Sequence, residues 1–148
     1  KFGVFTRAEL ESRVEIKYES YAKAINIEAR TAIDMASKQI IPAVIRYTKN
    51  LAETVLAVKA AGVETPVQSE LLAESSDLLS DAKLALEKLM DAADTASAMA
   101  SGREQAVYYH DVVMTAMEEL RKPVDRLEMI VDKDLWPFPS YGDLIFEV

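Results

Sequence analysis

The chain reads as all-α, an elongated up-down bundle of three long helices, or four if the first divides at Pro42. Three observations predict this. Apolar or small residues recur from Val14 through Tyr18, Tyr21, Ile25, Ala29, Ile33, Ala36, Ile40, Val44, Tyr47 and Leu51 to Val58 at helical spacing. That stripe advances by about 3.67 residues per step, which suits a nearly straight helix better than the 3.5 of a left-handed coiled coil. The composition is 50% hydrophobic with only four Gly and five Pro, and Ala, Leu, Glu and Lys fill the long runs. At 148 residues a single domain is expected over 1–148.

The elements follow in order. Residues 1–5 form an extended lead-in around Gly3. Thr6 and Glu9 have the spacing of a capping box, and Phe5 and Leu10 are placed to pack as a staple. The first helix is predicted over 6–61. Pro42 lies inside it, where it cannot donate to the Lys38 carbonyl and its ring crowds the preceding turn. The apolar stripe nevertheless keeps phase from Ile40 to Val44 and Tyr47, so a kinked continuous helix is predicted in preference to two separate ones. Gly62 stops it. Thr65, Pro66 and Gln68 restart a second helix over 65–100, with Thr65 as cap and Pro66 at the first helical position. Its far end is crowded with alanines at 92, 93, 96, 98 and 100, which permits close helix approach. Ser101 and Glu104 read as the next cap, opening a helix over 102–132 whose stripe persists across Pro123 through Leu120, Val124, Leu127 and Val131. Short connections make neighbouring helices antiparallel.

Residues 133–148 depart from this pattern. Pro137 and Pro139 forbid a regular helix through them, and Trp136, Phe138, Tyr141 and Phe146 are four of the eleven aromatics of the chain. An extended tail is predicted. Its apolar side chains either fold back over one end of the bundle or dock on another domain or subunit. Those four aromatics are the candidate inter-domain docking residues.

Charge and chemistry narrow the function classes. The net charge is −8 and is unevenly spread. Residues 1–49 carry nine Lys/Arg against six Asp/Glu, 50–100 three against nine, and 101–148 five against ten. The acidic balance argues against nucleic acid and anionic membrane as partners, and suggests a mildly basic first helix beside acidic later ones. No apolar run reaches the roughly 20 residues of a membrane span. With no Cys there is no disulfide, thiolate nucleophile or Cys metal site, which fits a reducing cytoplasm. The chain opens on Lys1 and reads as a segment of a longer protein. His110 is the single histidine, so a zinc or di-iron pattern fails, and Glu118 and Glu119 are adjacent and diverge on a helix. No glycine loop cradles phosphate and no Ser has a base at recognisable spacing. Met35, Met90, Met99, Met114, Met117 and Met129 read as packing. No catalytic, cofactor-binding or metal-binding residue is expected.

The third helix and tail carry a resemblance. Glu104-Gln105-Ala106, Tyr108-Tyr109-His110-Asp111-Val112-Val113, Ala116-Met117-Glu118-Glu119-Leu120-Arg121 and Trp136-Pro137-Phe138-Pro139-Ser140-Tyr141-Gly142-Asp143-Leu144 resemble the carboxy-terminal region of type III glutamine synthetases. Glu28-Ala29-Arg30-Thr31 and Gln39-Ile40-Ile41-Pro42-Ala43-Val44 in the first helix resemble the same region. The resemblance implies a cytoplasmic parent enzyme that uses ATP and Mg2+ to join ammonia to the γ-carboxylate of glutamate through a γ-glutamyl phosphate. It implies a homo-oligomer of stacked rings, with the ligands of nucleotide, metal and glutamate in a β-rich catalytic region outside this chain. The present chain would then be a non-catalytic accessory domain whose partners are that catalytic domain and neighbouring subunits. The alternative is a small-molecule-sensing bundle with a ligand between helices near Pro42 or Pro123.

Overall fold

The computed structural model describes residues 3–139 and 141–146. Among these residues the secondary structure is helical throughout, with no strand. The first helical run comprises α1 (Arg7–Met35), a π turn (Ala36–Ile40) and α2 (Ile41–Ala60). It is followed by α3 (Pro66–Ala98), and then by α4 (Arg103–Tyr108), a second π turn (Tyr109–Val113) and α5 (Met114–Ile130). A short α6 (Tyr141–Phe146) closes the described chain.

Thr6 starts α1 as its spacing requires. Its hydroxyl accepts from the Glu9 N–H at 3.3 Å, and the Glu9 carboxylate accepts from the Thr6 N–H at 2.8 Å. The Thr6 N–H and the Thr6 hydroxyl, which donates to Glu9 Oε2 at 2.9 Å, hold the Glu9 carboxyl below its ordinary pKa, the backbone bond contributing most. The staple does not form: Phe5 and Leu10 are both exposed, and the Arg13 guanidinium sits 4.4 Å over the Phe5 ring instead. Helix 1 then runs through Pro42 without a break. The Ile41 N–H reaches back to the Ala36 carbonyl, five residues earlier, so the turn just before the proline is widened by one residue. A wide turn gives the pyrrolidine ring room and places the lost N–H where the regular ladder is already interrupted.

Gly62, at φ +80°, ends α2 in a Schellman motif. The Val63 N–H donates to the Val58 carbonyl at 3.3 Å and the Gly62 N–H to the Lys59 carbonyl at 3.0 Å. The capping boxes expected at the next two helix starts are absent. Thr65 precedes α3, but its hydroxyl meets the Ser69 hydroxyl at 3.2 Å and caps no backbone N–H. Gly102, not Ser101, occupies the cap position of α4, at φ +139°. The end of α3 is satisfied from across the turn: Gln105 Nε2 donates to the carbonyls of Ala96 (3.0 Å) and Met99 (3.3 Å). Pro123 lies inside α5 and does not end it, because Leu120 and Leu127 on either side are buried.

The helices pack antiparallel in sequence, α3 against both α2 and α5. One core cluster joins Ala22, Ile25, Ala29 and Ala36 of the first run to Leu86, Leu89, Ala93 and Ala96 of α3 and to Tyr109, Val113 and Leu120 of the third. Alanine dominates this seam, so the backbones approach to about 8 Å. A second cluster at the other end joins Ile40, Val44, Ala82, Leu127 and Val131. One ion pair links the basic first run to acidic α3, Arg30 to Asp94 at 2.7 Å; most other pairs of the first run lie within it, as Lys23 with Glu19 does.

The tail differs in part from the extended segment expected over 133–148. Residues 141–146 are helical, since no proline follows Pro139 to forbid it. Before it, Trp136 and Phe138 fold back onto the second core cluster beside Leu135. Asp132 organises that turn: its carbonyl accepts from the Leu135 and Trp136 N–H groups at 3.0 Å, and its carboxylate from the Asp134 N–H at 2.9 Å.

Candidate functional site

Of the sequence-predicted docking residues Trp136, Phe138, Tyr141 and Phe146, the structure describes the side chains of the first two. Trp136 and Phe138 stand edge to face, 6.3 Å between ring centroids, half-buried on their own bundle. The Trp136 indole N–H is buried without an acceptor. Tyr141 and Phe146 belong to α6, and their side chains lie outside the described residues.

The polar candidates remain dispersed. His110 is exposed and its Nδ1 lies 2.7 Å from the neighbouring Asp111 carboxylate. Glu119 reaches Lys88 at 3.4 Å on the exposed face of α3 and α5. Among the described residues no three His, Cys, Asp or Glu side chains come together as a metal site. Among the described residues no helix is long and apolar enough to cross a membrane. The methionines divide: Met114 and Met117 pack on the core, and Met114 Sδ accepts from the Tyr21 hydroxyl at 3.1 Å, whereas Met129 is 78% exposed.

Two features invisible in the sequence stand out at the α1 end. The first is an arm. The run from Arg7 to Ala60 extends over about 80 Å and α3 over about 50 Å, and Gly62 to Thr65 brings them level at one end. The surplus therefore projects at the other. Residues 3–17 are all exposed, and the first buried side chain is Ala22. Leu10, Val14 and Ile16 are 54%, 43% and 57% exposed. Val14, a core position by spacing, is uncovered because no helix lies beside it. The arm and the α3–α4 turn together bound a groove of about 700 Å3 that includes Leu10, Val14, Tyr18, Gly102 and Arg103.

The second is a smaller polar cleft of about 260 Å3 between α1, the α3–α4 turn and the start of the second π turn. Asn26, Ser101, Gln105 and Tyr109 line it, with Glu19 and Lys23 at its mouth. Tyr109 is 2% exposed, and burial pushes its phenol above the ordinary value, partly opposed by the charge of Arg30. The cleft lies at this turn and not at Pro42 or Pro123.

Relatives place the chain. Residues 1–59 match the profile of the glutamine synthetase C-terminal domain. The whole chain is 30% identical to a glutamine synthetase of Butyrivibrio fibrisolvens, over 21% of that protein. It is 30% identical to a glutamine synthetase of Bacteroides fragilis, and 33% identical to the type-3 glutamine synthetase of Dictyostelium discoideum. Each of these alignments covers 97% of this chain and 20% of the relative.

Over nearly its whole length the chain is similar to glutamine synthetases. It spans about a fifth of the length of the curated relatives it matches. The segment matched by the glutamine synthetase C-terminal profile holds the arm, the first π turn and nearly all of α2. The uncovered stripe is thus inside the family-defined region. The sequence marks the tail for contacts, because aromatic density is visible in a string of letters. An overhang is not: it depends on where neighbouring helices end.

Proposed function

We propose that this chain is a non-catalytic accessory domain of a larger glutamine synthetase polypeptide, and that it works by packing against the rest of that protein. The observation that carries the reading is the bare arm within the family-matched segment. Apolar side chains spaced along one helix and left in water gain free energy when a partner covers them, about 25 cal/mol per Å2 removed from water. Relatives about five times longer supply the mass to cover it. The partner is the catalytic domain of the same polypeptide or of a neighbouring subunit in a homo-oligomer. Trp136 and Phe138, half-buried on their own bundle, offer a second and smaller face to the same contacts.

In this reading the parent enzyme joins ammonia to the γ-carboxylate of glutamate with ATP and Mg2+ in the cytoplasm, and its catalytic ligands lie outside this chain. This chain contributes shape, not chemistry. The decisive experiment substitutes Leu10→Asp and Val14→Asp together in the full-length enzyme. Both side chains are exposed here, so the domain itself keeps its fold. Loss of native oligomeric mass with a parallel fall in glutamine formation is expected. Unchanged mass and unchanged turnover would refute the reading.

A further inference from the structure

The end of the bundle opposite the arm carries a second open face. The third helical run ends at Ile130, and Arg126 near that end pairs with Glu74 of α3 at 2.7 Å. Beyond that level α2 and α3 continue as a two-helix hairpin to the Gly62 turn. By helical spacing Tyr47, Leu51 and Val58 share one side of α2, and Val67, Leu71 and Leu78 share one side of α3. Tyr47 and Leu78 pack on the second core cluster, where Leu127, Val131 and Trp136 cover this face. Toward the turn it is left open. Leu51, Val58 and Leu71 are only half-buried, and Val63 and Val67 are 57% and 62% exposed. Leu144 and Ile145 of α6 do not fill the gap, being 66% and 65% exposed themselves.

Charge and symmetry say what can lie there. Residues 51–69 carry three charges, Glu53, Lys59 and Glu64, and none falls at the spacing of the face; Glu70 and the paired Glu74 stand at its edge. The chain as a whole is 28% charged with a net charge of −8, so two copies repel each other over much of their surface. On this face they can meet over apolar side chains. Two antiparallel helices laid on the same two helices of a second copy make a four-helix bundle, and a two-fold axis presents each stripe to its counterpart. We propose that the α2–α3 hairpin is a contact between two copies of this chain, with Leu51, Val58, Val67 and Leu71 of one copy packed on the same residues of the second. The open face is about 20 Å long and about 20 Å wide, or about 400 Å2 per copy. That is half of the roughly 800 Å2 per partner of a standard stable interface. The contact is therefore weak by itself, with a Kd of about 0.1–1 mM. No residue of the arm takes part, so the contact is independent of the packing role.

Sedimentation equilibrium on the 148-residue chain, up to about 1 mM, tests this. Reversible dimerisation in the stated range is expected. Val67→Glu places a charge on the open face at the second position of α3, where an acid suits a helix N-terminus, so the fold is kept. It should raise Kd at least about tenfold. Leu56→Glu is the matched comparison. Leu56 is 71% exposed, and its spacing from Leu51 and Val58 puts it on the opposite side of α2. The same added charge there should change Kd by less than about twofold. A chain that stays monomeric throughout would overturn the proposal. So would a dimer that Val67→Glu leaves intact, or one that Leu56→Glu weakens as much. If the chain is monomeric while Val67→Glu lowers the oligomeric mass of the full-length enzyme, the face belongs to a different domain and the contact between copies is refuted.

Discussion

Leu10 and Leu89 are both apolar positions on long helices of this chain, yet Leu10 is 54% exposed and Leu89 is 0% exposed. The two helices are equally regular around them. What differs is the company. Leu89 faces the alanine seam of α1 and the third helix, whereas Leu10 lies on an arm that outruns both neighbours. An amphipathic stripe is therefore a demand for cover and not a sign that cover exists. In the middle of the bundle the demand is met inside the chain. On the arm it is unmet among the described residues, and under the proposed function that is where this chain would meet the remainder of a longer polypeptide.

The sharpest test of that contrast is truncation in the two core clusters. Leu89→Ala or Leu127→Ala, both fully buried, should each destabilise the chain by about 2–5 kcal/mol in urea unfolding. A loss below about 1 kcal/mol would mean that the seam is loosely packed and that the contrast with the arm is false.

A smaller effect should come from alkaline titration, which touches only the covered part. Burial raises the phenol of Tyr47, with Asp132 and then Glu74 adding to it, and burial likewise raises that of Tyr109. Each stabilising contribution is complete below the ordinary tyrosine value near 10 and is lost as pH rises through the higher folded value, because the unfolded chain releases its proton first. The melting temperature should therefore fall above about pH 10. The fall should be shallower in Tyr109→Phe and Tyr47→Phe, since neither variant can ionise there. An identical alkaline slope in both variants would show that these rings are not held neutral by the core.

The arm should yield the smallest change. Leu10→Ala and Val14→Ala in this chain should each shift stability by less than about 0.5 kcal/mol. Amide exchange should be fast over the residues before Ala22 and slow around Leu89. A core-sized penalty at Leu10 would show that the arm is covered within the chain itself.

Much of this architecture is written in local residue patterns. The Thr6–Glu9 box, the Gly62 stop, the restart at Pro66 and the phase of the stripe across Pro42 and Pro123 each involve groups within a few positions of one another, so spacing alone reports them. The resemblance carried by Tyr108 to Val113 and by Trp136 to Leu144 is equally local. Other features depended on the arrangement of the helices. The cap expected at Thr65 failed because its hydroxyl meets that of Ser69, and the one expected at Ser101 because Gly102 takes the cap position. The second π turn has no proline to announce it. The helix at Tyr141 follows prolines that concealed it. Periodicity fixes which face of a helix is apolar, but the ends of its neighbours fix how much of that face is covered. For that reason the bare arm and the cleft of Asn26, Gln105 and Tyr109 arose only in three dimensions, from residues up to 83 positions apart in the chain.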